Sequence, residues 1–187
     1  MKKAIIFVFA FICIASTTLA ASLDSQTTKI AVVIVGGSDF KTVNFVRYAR
    51  EFFEEANTNG NLIIFSCDEI QSKYQDYWLD KGLLEEGTPV KQDLLDFVNY
   101  SGYDKVIYLM VKDPVVDTHE RGRSIFRKQN SRASITVNAY LVDRENIIKT
   151  ATSTKENDSD RSELRAKRGA FKQCVRAISE VFNPLLK

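Results

Sequence analysis

The residues best placed to do chemistry in this chain are Gly36-Gly37-Ser38-Asp39, which close an apolar run and open a helical one. A handover from strand to helix is where open α/β sheets hold anions and cofactors, because strand ends and backbone N–H groups share one crevice there. Neither a dinucleotide fingerprint nor a P-loop is present, since no further glycines and no Gly-Lys-Ser/Thr follow. A turn and helix start explains the four residues without a ligand. Ligand binding through Gly36, Gly37, Ser38, Asp39 and Asp113 stands as the alternative. Asp39, Asp68 and Asp113 each fall where a strand ends, as the paired carboxylates of a hydrolase would. His119, the only histidine, sits in a charged stretch with Asp113, Asp117 and Glu120, and reads as solvated surface rather than a metal ligand or a base. No metal and no cofactor is expected.

Charge offers a second kind of chemistry. Arg121, Arg123, Arg127, Lys128 and Arg132 fill an irregular stretch, and Arg161, Arg165, Lys167 and Arg168 crowd the start of the last helix, where the helix dipole favours acids. These cations either form a patch for an acidic partner, an envelope protein or an anionic envelope polymer, or are two solvated faces balanced by acids elsewhere. Tyr74, Tyr77 and Trp78 cluster as an interface anchor would, or as the cover of a core edge. Cys67 and Cys174 are open to pairing in an oxidising compartment, and equally to life as two buried thiols.

The elements that must position these residues follow from periodicity. Lys29 to Val35 is almost continuously apolar, which marks a central strand covered on both faces. Phe45, Val46, Ala49, Phe52, Phe53 and Ala56 stripe a helix that Asn57 to Gly60 ends. Leu62 to Cys67 is a second strand, and Ile70 to Glu86 supplies one or two short helices. Thr88-Pro89 starts another helix, closed by Ser101-Gly102. Val106 to Val111 is a third strand, broken by Asp113-Pro114. The segment to Arg132 is either a mobile arm or an extension of the flanking strands as a ribbon. Ala133 to Thr154 alternates apolar and polar residues around a turn at Asp143 to Asn146 and predicts an antiparallel hairpin. Glu156 to Asp160 reads as a polar loop. Asp160 and Glu163 have the spacing of a capping box, and a closing helix runs from there to about Asn183-Pro184. Two strand-helix-strand crossovers predict three parallel strands, and the hairpin adds an antiparallel part. The expected fold is therefore a single α/β domain with a mixed sheet of about five strands and helices on both faces.

The start of the chain sets the compartment. Lys2 and Lys3, an apolar run from Ala4 to Ala15 and Thr18-Leu19-Ala20 have the form of a bacterial secretory leader over residues 1–20. Bulky Phe11 and Ile12 precede Cys13 where a lipoprotein cleavage site needs small residues. A short lead-in over 21–28 and one domain over 29–187 then follow. No second apolar run reaches about twenty residues, so no transmembrane segment is expected. Lys and Arg total 26 against 24 acids, and two of the cations are Lys2 and Lys3. The processed chain is thus near neutral, unlike a nucleic-acid binder.

Lys29-Ile30-Ala31-Val32-Val33 after a leader, Tyr103-Asp104-Lys105-Val106-Ile107 after a helix ending in Ser101-Gly102, Ala139 to Asp143 entering a turn, and a closing helix over Ala166 to Asn183 carry a resemblance. In pattern and order the chain resembles the small periplasmic α/β domain shared by the amino-terminal part of the Tol-system propeller protein TolB, the curli secretion channel subunit and the lipoprotein activators of peptidoglycan synthases. The resemblance implies a periplasmic or secreted accessory protein of the envelope, without catalytic residues, that binds other proteins or assembles. Two alternatives remain open: a small-ligand binder or hydrolase at the carboxyl edge of the sheet, and a homo-oligomer joined through the hairpin edge.

Overall fold

The computed structural model describes residues 27–55, 57, 60–66, 68–83, 88–121 and 128–186. The leader expected over 1–20 lies outside them.

The apolar run near the start becomes β1 (Thr28–Val35). A 3-10 turn at Ser38–Lys41 leads into α1 (Val43–Glu54), then β2 (Leu62–Phe65), α2 (Asp68–Asp80) and α3 (Lys91–Ser101). Next come β3 (Lys105–Val111), β4 (Val115–Arg121), β5 (Lys128–Asp143), β6 (Ile147–Ser159) and α4 (Glu163–Phe182). The result is a single α/β domain with a mixed sheet that does not close into a barrel.

β1 lies between β2 and β3 and is parallel to both, as the crossovers require. β5 is antiparallel to β3 through residues 137–143 and to β4 through residues 128–134. These two ranges do not overlap, so β3 and β4 share one edge of β5. β6 pairs with 131–142 of β5, spanning both, and so takes the other edge.

Because β1 is covered on both faces, its side chains divide alternately between two cores. Ile30, Val32 and Ile34 join Phe45 and Phe53 of α1 and Phe171, Cys174 and Ile178 of α4. Ala31, Val33 and Val35 join Tyr74 and Trp78 of α2 and Phe97 of α3. The Phe45 ring meets Phe171 edge-on at 5.1 Å and Phe40 at 5.2 Å, in the geometry that aromatic quadrupoles favour. Burying each such ring stabilises the fold by roughly 2–3 kcal/mol.

Several local expectations shift. Val115 to Arg121 is a sixth strand, so the ribbon alternative holds over the described part of that segment. Residues 156–159 belong to β6, not to a loop, because pairing with Ser131 to Ser134 satisfies their backbone while both side-chain faces stay near water. α3 begins at Lys91, two residues after Pro89, with the Asp93 carboxylate accepting the Val90 N–H at 2.9 Å. Ser162, not Asp160, caps α4 and accepts the Arg165 N–H at 3.3 Å. α2 is one continuous helix as far as Asp80.

Candidate functional site

β2 is only four residues long, and its last pair is Ala31 with Phe65. Among the described residues no strand pairs with β1 beyond that point on this side. Gln71 of α2 takes its place: its Nε2 donates to the Ile34 carbonyl at 3.0 Å, and its Oε1 accepts the Ile34 N–H at 3.4 Å. One side chain thus reproduces a ladder step and holds α2 beside the carboxyl ends of β1 and β3.

A groove of about 850 Å³ opens there. Val35, Trp78, Leu83, Pro89 and Met110 supply apolar walls, and Gln75, Asn138, Lys41, Lys112 and Asp113 supply polar groups. Gly36 closes one end at φ +149°, and an added Cβ would lie 2.9 Å from the Val111 carbonyl oxygen, so only glycine lets β1 turn so close to β3. The groove gathers Gly36, Gly37 and Asp113 from the expected ligand set, but not Ser38 or Asp39. Asp39 is held away by Lys167 of α4, 3.2 Å from its carboxylate. Glu163 lies 2.7 Å from the same ammonium, and hydrogen bonding to Glu163 and Asp39 raises the Lys167 pKa above its ordinary value. Asp68 opens α2 and does not line the groove. Among the described residues no cluster of His, Cys, Asp and Glu could hold a metal.

The second surface is the far face of the ribbon. α4 covers Ile135, Val137, Ala139 and Leu141 of β5, Ala133 is buried in the same alternation, and α2 and α3 reach the opposite face only near Tyr140 and Val142. The rest of that face is mostly polar, with Val115 of β4, paired with Ser134, as an exposed apolar exception. The hydroxyls of Thr136 and Thr154 lie 2.9 Å apart, and the Thr152 hydroxyl donates to Asn138 Oδ1 at 3.0 Å. Arg132 pairs with Glu156 and, at 3.7 Å, with Asp158. His119 is exposed on β4, 2.8 Å from Asp117.

The arginines divide accordingly. Arg132 is engaged within the ribbon. β4 ends at Arg121 and β5 begins at Lys128, and the two positions are paired in register, whereas Arg123 and Arg127 lie outside the described residues. Lys128 is three residues, about 10 Å, from Ser131, which pairs with Ser159 at the end of β6. Arg161 and Arg165 follow directly and are exposed, and Arg168 is half-buried. The two basic groups therefore sit at the same end of the ribbon.

Tyr74, Tyr77 and Trp78 are core residues, each at most 4% exposed, and not a surface anchor. Tyr74 meets Phe97 edge-on at 4.9 Å. Cys174 is a buried free thiol, with Sγ 3.4 Å from the carbonyl oxygens of Ile135 and Ser153. Burial pushes its pKa up. Cys67, the partner that a bridge would need, lies outside the described residues. Lys41, Gln71, Met110, Lys112 and Asn138 escaped the sequence reading. Lys112 could have been found, since it follows the third apolar strand directly, but nothing marks Gln71 or Asn138.

The architecture defines a one-domain α/β protein whose sheet is half sandwiched between helices and half an open-faced ribbon. No family model matches the chain, and no curated protein matches it. Similar solved structures include the PelC dodecamer from Paraburkholderia phytofirmans, at 13% identity over 85% of this chain and 89% of that one, with a TM-score of 0.44. Lipoprotein GNA1162 from Neisseria meningitidis is 16% identical over 84% of this chain and 97% of its own, with a TM-score of 0.47. The LpoB C-terminal domain from Salmonella enterica is 12% identical over 74% and 90%, with a TM-score of 0.34. Among the described residues no helix is long and apolar enough to cross a membrane.

Proposed function

We propose that the protein is an exported, non-enzymatic binding and assembly module of the bacterial cell envelope. Its partner, an envelope protein or an anionic envelope polymer, docks on the open face of the β4–β5–β6 ribbon and at its basic end. The observation that carries this reading is the asymmetry of the ribbon, in which α4 covers one face while Ser134, Thr136, Asn138, Thr152 and Thr154 are turned to the other. Long paired strands are a rigid support for recognition, and a surface of hydroxyls and amides exchanges water contacts for partner contacts at small cost. Arg161 and Arg165 add the charge that steers an acidic partner.

The test is Thr152→Glu with Thr154→Glu, alongside Arg161→Glu with Arg165→Glu, in the exported full chain. Both pairs are exposed, so the melting temperature should hold while co-purification of the partner falls about tenfold. Unchanged capture by both variants refutes the reading. A second reading, self-assembly through β6, draws on the outer edge of that strand, which pairs with no strand among the described residues. A sedimentation mass that rises with concentration favours it.

A further inference from the structure

We propose that β6 pairs with β6 of a second copy of this chain, antiparallel about a twofold axis at Thr154. The inference rests on the self-assembly reading above and fixes its geometry. The Lys112 N–H donates to the Thr136 carbonyl at 3.0 Å, so the Thr136 backbone is turned toward β3 and away from β6. Thr136 lies opposite Thr154. In an antiparallel ladder such a pair points its N–H and C=O groups apart. Those of Thr154 therefore face the outer edge of β6, and by alternation so do those of Thr150, Thr152 and Glu156. Among the described residues none of these backbone groups has a partner.

That edge carries few of the devices that deter pairing. From Lys149 to Ser159 it holds no proline and no glycine, and the one register shift lies before it, where Val142 meets Ile147. Charge then selects the register. Outward groups must meet outward groups, which restricts the axis to positions centred on a residue. An axis at Thr154 sets Thr152 opposite Glu156, Thr150 opposite Asp158 and Lys155 opposite Ser153, so the whole regular stretch pairs with no like charges opposed. One residue further on, Lys155 would face Lys155 of the second copy. One residue back, Asp158 and Ser159 would meet Ile148 and Ile147 across the irregular start of the strand, and two back, Lys149 would face Lys155. The axis stands perpendicular to the sheet, so the two open ribbon faces join on one side as six strands roughly 25 Å across. A single strand edge buries little area, which puts the association in the weak class.

The full processed chain is sedimented over a range of concentrations and treated with dibromobimane, which bridges thiols only a few ångströms apart. The mass should rise toward a dimer below roughly 1 mM. Thr154→Cys meets its own copy at about 5.5 Å between Cα atoms and should bridge well above the parent chain, whose native cysteines set the baseline. Thr152→Cys lies four residues, about 13 Å, out of step with its copy and should stay at that baseline. Thr152→Pro should weaken the association at least about tenfold while the melting temperature holds, because the N–H it removes has no partner in the monomer. A constant mass, or a rise that Thr152→Pro leaves unchanged, overturns the proposal and self-assembly through β6 together. A rising mass with Thr152→Cys bridged as well as Thr154→Cys overturns the axis alone and leaves that reading standing. Capture of a foreign partner is read separately, by the charge variants above.

Discussion

Replacing Gly36 with alanine should unfold the protein far more readily than the same change one residue later. The added Cβ at Gly36 would stand 2.9 Å from the Val111 carbonyl oxygen and 3.2 Å from Val111 Cβ. The oxygen belongs to the backbone of β3, whose pairing with β1 and β5 prevents it from yielding. The backbone there also sits at φ +149°, a region that costs a residue with a Cβ about 1–3 kcal/mol. Adding the overlap gives a loss of about 3 kcal/mol, or roughly 6–12 °C in Tm for a domain of this size. Gly37 is the internal control, at φ −57° and ψ 151° with nothing within 4 Å of an added Cβ. Gly37→Ala should be neutral or stabilise by up to about 1 kcal/mol, because it restricts the unfolded chain. Chemical denaturation monitored through Trp78 emission compares the two. Equal midpoints for the two variants would refute the claim that β1 ends in a backbone contact that only glycine permits.

Gln71→Leu should cost about 1–2 kcal/mol and speed hydrogen exchange at the Ile34 amide, since two backbone groups of β1 lose their partner; unaltered exchange would contradict the strand-substitute role. Gly169→Leu should swing the Asn157 amide aside, because even a Cβ there would overlap it, and break its hydrogen bond with Gln173, so a Tm loss of more than about 4 °C would show that the amide cannot yield. Burial holds the Tyr108 hydroxyl and the Cys174 thiol above their ordinary pKa values, so the folded protein keeps protons that the unfolded chain releases. Their stability contribution is full below about pH 8.5 and is lost as pH rises beyond it, so denaturation midpoints should fall between pH 8 and 10. A flat profile would contradict this. Peptide mapping after iodoacetamide treatment should find Cys174 unmodified until the protein is denatured.

What the sequence showed depended on how far each element's own pattern was set by burial. Ile30 to Val35 announced a central strand because both its faces are buried, and Ala133 to Leu141 announced a half-buried one because only alternate residues are. Gly102 marked the end of α3 through its left-handed φ of 77°. β4 was ambiguous because Asp117, Thr118 and His119 are exposed in turn, so neither face imposes an apolar alternation. The end of β6 failed for the same reason. Ser162 went unrecognised as a cap because Asp160 stood at the more familiar spacing from Glu163. The groove was half legible: its glycines and Asp113 are local signals at strand ends, whereas its far wall comes from α2, β5 and the residues preceding α3, which only the folded topology brings together. The Arg121 to Arg132 stretch looked like one patch, but Arg132 is neutralised by Glu156 and Asp158 across the ribbon, a pairing that depends on register.

The central claim concerns the open ribbon face, and site-specific photocrosslinking in intact cells tests it most directly. A photoreactive residue at position 136, 152 or 154 is compared with one at Arg176, on the solvent side of α4 and 71% exposed. Crosslinked partner at the three ribbon positions, and none at 176, is the expected result. Crosslinking at 176 with silence at the ribbon would show that the protein engages the envelope through α4 instead.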